Sequence, residues 1–179
     1  MEDYEFIAIK DLEAVDFNDL ALYNSCDIIA CGKILVENES QSGKFGYSAF
    51  VLNMNIKGEV NWMTELKNGM INEINDIELT DDKILAASTI FDIISPQEAY
   101  SNILSAISFS GNVIDTLQII NQDVYISPID VHANSNCSAI LIGNFNGSLK
   151  LTLIDGSIVD VDSESIRPFY FEVVSQQSN

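Results

Sequence analysis

Three carboxylates stand two residues apart in Asp160-Val161-Asp162-Ser163-Glu164. Clustered oxygens of this kind can hold a hard cation. The run lacks the glycine at the sixth position and the glutamate at the twelfth that a calcium loop uses. Two-residue spacing also puts all three acids on one side of an extended strand, which is equally a solvated face. Asp81-Asp82 is a second acidic pair, in a turn between strands, and is no stronger as a metal signal. Asp130 and His132 share a strand face and could act as an acid–base pair. Ser127 or Ser138 would have to serve as nucleophile, and no glycine-flanked serine elbow accompanies them. A histidine packed at a strand end accounts for the pattern more simply. No phosphate loop, dinucleotide glycine motif or zinc-ligand spacing occurs. The expectation is a protein without catalytic residues, metal or cofactor.

Charge is the more informative chemistry. The chain carries 27 acidic residues against 8 basic ones, a net −19. The 66 residues from Ile84 to Leu149 contain no lysine or arginine. Glu2, Asp3, Glu5, Asp11, Glu13, Asp16 and Asp19 are opposed only by Lys10. Glu73, Asp76, Glu78, Asp81 and Asp82 form a second group, and Asp155, Asp160, Asp162 and Glu164 a third. Arg167 is the one arginine, so no basic patch exists to meet phosphates and nucleic acid is excluded as a partner. Such a surface can serve solubility alone, or it can attract a basic protein.

The elements that must carry these acids are strands. Tyr47–Ile56 and Glu59–Leu66 flank Lys57-Gly58, and Tyr100–Phe109 and Asn112–Ile120 flank Ser110-Gly111. Val60, Trp62, Thr64 and Leu66 alternate on one face, the period of a half-buried strand. The glycines supply the positive φ that tight hairpins need. By composition, Asn146-Gly147 and Asp155-Gly156 are the strongest hairpin turns. Weak helix signals occupy Glu13–Tyr23 and Pro96–Ile107.

A pattern also recurs. Asp27–Gly32, Lys83–Ser88 and Ala139–Asn144 are spaced 56 residues apart, each opening on large aliphatics and ending on small residues. This predicts an all-β protein of three four-stranded repeats of ~56 residues. Ile28, Ile84 and Ile140 become equivalent core positions, as do Ile29, Leu85 and Leu141. Residues 1–174 are expected to form one domain and residues 175–179 a disordered tail. A chain of this size can bury about 70% of its unfolded surface.

Tyr47-Ser48-Ala49-Phe50-Val51-Leu52, then Gly58, then Val60-Asn61-Trp62, resembles the bacterial β-propeller repeats of the SBBP type. The likeness is best over residues 45–90, and Asp115 replaces the tryptophan in the next copy. The resemblance implies propeller-like blades and transfers no catalytic residue. Propellers typically close with four to eight blades. Three repeats are too few for closure, so the residue match points to propeller-like blades completed by other chains, with a β-trefoil as the alternative. The terminal strands Glu5–Ile9 and Phe169–Val173 could also join first repeat to last.

The remaining signals limit location. Met-Glu-Asp-Tyr-Glu shows no basic region before an apolar run, and no stretch has the roughly 20 apolar residues of a membrane helix. Cys26, Cys31 and Cys137 are odd in number, which favours buried reduced thiols, with a Cys26–Cys31 disulfide or metal pair as the alternative. The expectation is a cytoplasmic, non-enzymatic acidic module docking a basic protein partner, as immunity proteins and nucleic-acid mimics do. Glu73, Asp76, Glu78, Asp81 and Asp82 are the expected contact surface. The alternative is a structural module of a phage or other particle that completes its β repeats by self-association.

Overall fold

A computed structural model describes residues 14–37, 45–66, 71–91, 100–120, 125–134, 138–152 and 158–174. All regular elements among them are strands: β1 (Val15–Leu22), β2 (Asp27–Glu37), β3 (Phe45–Asn55), β4 (Val60–Leu66), β5 (Ile71–Leu79), β6 (Ile84–Phe91), β7 (Tyr100–Ile107), β8 (Val113–Ile120), β9 (Tyr125–Asn134), β10 (Ser138–Thr152) and β11 (Ile158–Val174). The all-β expectation holds. Both weak helix signals fall on strands, β1 and β7.

The strands form three antiparallel sheets in chain order: β1-β2-β3-β4, β5-β6-β7-β8 and β9-β10-β11. Single residue pairs link them, Tyr47 with Ile71, Ile90 with Ile126 and Ile119 with Leu151. The described strands close into neither a barrel nor a propeller. The third sheet has three described strands rather than four. Its two long members replace the hairpin expected at Asn146-Gly147, which lies inside β10 at a register shift between Phe145 and Gly147. Ladder pairs with β11 on both sides of the shift keep the chain extended there, so the dipeptide marks a bulge rather than a turn. Asp155-Gly156, Glu5–Ile9, Cys137 and the 175–179 tail lie outside the described residues. Phe169–Val173 pairs with β10.

The glycine hairpins are where the sequence puts them. Gly58 and Gly111 have φ of 77° and 86°, values that β-carbon sterics make rare for other residues. Each amide closes its turn, Gly58 N–H on Asn55 O and Gly111 N–H on Ser108 O, both at 2.9 Å.

The main core lies between the first two sheets. Ile29, Cys31, Ala49 and Val51 of the first pack against Ile74, Ile77, Ile84, Ala86 and Ile107 of the second. The opposite face of the first sheet gathers Ala30, Phe50, Leu52 and Met54. Thus one face of the first sheet meets a face of the second that is out of phase with it by one residue. Tyr23 stacks on Phe109 at 4.2 Å, and the Trp62 indole N–H donates to Phe109 O at 3.1 Å, tying the β7–β8 hairpin to the first sheet.

The expected core equivalences hold in part. Ile29, Leu85 and Leu141 are all buried, whereas Ile84 is buried and Ile28 and Ile140 are half-buried. Strand pairing accounts for the third copy. Ala30 opposes Leu20, Ala86 opposes Ile77 and Leu141 opposes Val131. The third copy is therefore one residue out of step with a uniform spacing of 56.

Candidate functional site

The first strand of each sheet is interrupted once. Pairing skips Asn18 between Phe17 and Asp19, Asn75 between Ile74 and Asp76, and Ile129 between Pro128 and Asp130. Each gap is a β-bulge, which adds a residue and re-aims the side chains around it. An aspartate follows each bulge: Asp19, Asp76 and Asp130. Gly32 faces the first bulge; a β-carbon there would stand 1.9 Å from Asp16 O, so the position is restricted to glycine.

The bulges join one sheet to the next by a repeated contact. Asn18 Nδ2 donates to Ile74 O at 2.8 Å, and Ile77 N–H donates to Asp19 Oδ2 at 3.2 Å. One sheet along, Asn75 Nδ2 donates to Pro128 O, and Val131 N–H donates to Asp76 Oδ2 at 2.7 Å. Each Asn-Asp pair thus grips the backbone on both sides of the next bulge. Backbone groups freed by a bulge need partners when half-buried, and these side chains supply them. Beside the first joint, the buried Cys31 thiol donates to Ile74 O at 3.6 Å. Its burial and the Asp19 carboxylate push the thiol pKa up, so it is held as an unreactive neutral group.

Asp76 sits between the two joints. Burial, with the facing Asp130 and Asp19 carboxyls, pushes its pKa up to about 7, against the Val131 N–H that favours the charged form. The seam is therefore acidic, with one carboxyl near half-protonation at neutral pH. Among the described residues no three His, Cys, Asp or Glu side chains are arranged to hold a metal ion.

The five acids singled out in the sequence divide between two roles. Glu73 Oε2 accepts from Lys33 Nζ at 3.0 Å, Lys33 also lies 3.8 Å from Asp16, and that ammonium sits 5.4 Å from the Tyr47 ring centroid. The hydrogen bond to Glu73 raises the Lys33 pKa. Asp76 belongs to the seam. Glu78 lies 3.6 Å from His132 Nδ1. Asp81 and Asp82 are exposed in the β5–β6 turn, which Thr80 N–H closes on Lys83 O at 2.9 Å. Of the five, only these last two are exposed and have no cation within ion-pair distance among the described residues.

Other sequence candidates are dispersed. His132 approaches Glu78 of another strand rather than forming an acid–base pair with Asp130. Asp160 and Asp162 lie on β11 opposite Lys150 and Ser148. Phe50 is buried against Phe17, Trp62 is engaged by the hairpin and Tyr170 is exposed. Sequence reasoning missed the bulge residues, although the signal exists: Phe17-Asn18-Asp19-Leu20 and Ile74-Asn75-Asp76-Ile77 are near copies. No protein-family model and no curated protein matches the chain.

Proposed function

We propose that the protein is a non-enzymatic acidic binding module that docks or neutralises a basic protein, as an immunity protein or nucleic-acid mimic does. The observation that carries this reading is the imbalance of charge, −19 with only 8 cations, together with the exposure of Asp81 and Asp82 at a turn tip. Lys33 is occupied by Glu73, itself one of the five acids. Loop tips on a strand scaffold suit recognition, and such a field speeds encounter with a cationic partner. Glu78, Asp81 and Asp82 are the contact residues in this reading; Glu73 and Asp76 support them from within.

Capture from a native lysate followed by kinetics with the captured protein tests it. Asp81→Asn with Asp82→Asn should slow association about tenfold at low salt, with the difference collapsing near physiological ionic strength. An association rate indifferent to both salt and these substitutions would remove the reading.

A second reading is favoured by the joints themselves: an assembly module whose sheets are propeller-like blades completed by further chains. The same Asn-Asp contact joins first sheet to second and second to third, as expected of an array that adds units by one rule. A trefoil is the alternative arrangement of the same three units.

A further inference from the structure

We infer that the chain binds a second copy of itself head to tail. The third sheet of one protomer seats on the β1 margin of the next, through the contact that joins sheets within the chain. The inference rests on the assembly reading and gives it a specific interface.

Corresponding rows of residues carry the argument. Across the first sheet, Asp19, Cys31 and Val51 lie side by side, and across the second, Asp76, Ala87 and Leu104. Directly opposed residues share a sheet face. The apolar members of both rows are buried and their aspartates half-buried, because the next sheet covers them. The matching row of the third sheet is Asp130, Ile142 and Tyr170. Here Asp130 is exposed, Ile142 is 43% exposed and Tyr170 61%. The bulge residue is Ile129 instead of asparagine, and it is also exposed.

The other end of the molecule shows the converse. Ile74 and Ile77 flank the second bulge at 0% and 4% exposure, under the first sheet. Pro128 and Val131 flank the third and are buried under the second. Phe17 and Leu20 flank the first bulge and are 41% and 62% exposed. Deeper in that face Ala30, Phe50 and Leu52 are buried, so the open part is the β1 margin alone. Each end therefore displays what the other end lacks. By the internal rule, Asp130 would accept the N–H of Leu20 in a second copy, as Asp19 accepts that of Ile77. Ile129 and Ile142 would cover Phe17 and Leu20. A second copy is the occupant that fits, because the contact continues an interface already made twice within the chain. Such contacts are heterologous and form closed rings when the rotation allows. Two copies supply six sheets, within the four to eight that close propeller-like rings.

Light scattering coupled to size exclusion tests this on the full chain, with salt and protein concentration varied. The expected result is a mass of two chains or more, favoured by salt because each copy carries a net −19. Leu20→Glu and Ile142→Glu, on opposite sides of the contact, should each restore the 19.8 kDa monomer, while Ile114→Glu, on exposed β8, should not. Near-identical circular dichroism of the variants would show that the fold survives. A wild-type assembly indifferent to Leu20→Glu and Ile142→Glu would overturn the head-to-tail contact and leave the assembly reading standing. A monomer at every salt and protein concentration would overturn both.

Discussion

The joint between the first and second sheets and the free side of the third sheet are built from corresponding residues with opposite fates. At the joint, Asn18 and Asp19 hold the backbone of Ile74 and Ile77, and the apolar residues around them are buried. At the free side, Ile129 and Asp130 occupy the same bulge positions and stand exposed. These bulges are contact devices. A bulge with an aspartate after it presents an acceptor to the backbone of a neighbouring sheet: Asp19 and Asp76 take an N–H of the next sheet, whereas the Asp130 carboxyl meets that of Asp76.

The largest expected effect breaks the joint through its core. Ile84 is fully buried between the sheets. Ile84→Ala should lower unfolding free energy by about 2–5 kcal/mol, whereas Ile142→Ala on the free side should change the dilute monomer by less than about 0.5 kcal/mol. Chemical denaturation measures both.

A smaller effect concerns how the β7–β8 hairpin reaches the first sheet. An alanine β-carbon at Gly111 would lie 2.9 Å from the Trp62 ring, and the φ of 86° disfavours it further. Gly111→Ala should cost about 1–3 kcal/mol and alter the fluorescence of Trp62, the only tryptophan. Unchanged emission would show that the hairpin does not press on the indole.

The smallest effect sharpens the comparison by pH. Asp76 holds its proton up to about pH 7 when folded, against an ordinary value of 3.8. The folded state therefore binds more protons than the unfolded chain between these values, so this group's stabilisation is complete below about pH 4 and lost as pH rises through 7. Asp76→Asn keeps an oxygen for Val131 N–H and removes the titration. It should be about 1 kcal/mol more stable than wild type at pH 8, the shift being discounted because the group is only half-buried. Its stability should also fall less steeply between pH 4 and 7.

Much of the strand pattern was legible, because Val60, Trp62, Thr64 and Leu66 alternate and because Gly58 and Gly111 mark turns. The bulged strands were not. Inserting Asn18 sets Phe17, Leu20 and Leu22 at spacings of three and two, so β1 reads as a weak helix; Asn75 sets Ile74, Ile77 and Leu79 at the same spacings, which hides the alternation of β5. The acidic site was visible as composition but not as geometry. Sequence cannot show that Glu73 meets Lys33 from 40 residues away, or that Asp76 is committed to Val131. The register slip in the third copy escaped because Leu141 and Ile140 are interchangeable as aliphatics until their partners Val131 and His132 are known.

Whether the aspartate after each bulge joins one sheet to the next is decided by comparing Asp19→Ala with Asp130→Ala. Unfolding free energies are measured by denaturant titration at concentrations where the chain is monomeric. Asp19→Ala should cost about 1–3 kcal/mol, because Ile77 N–H loses its acceptor at the joint. Asp130→Ala should cost less than about 1 kcal/mol, because its carboxyl meets that of Asp76 but holds no backbone N–H of a further sheet among the described residues. Equal costs for the two substitutions, or a neutral Asp19→Ala, would contradict the account.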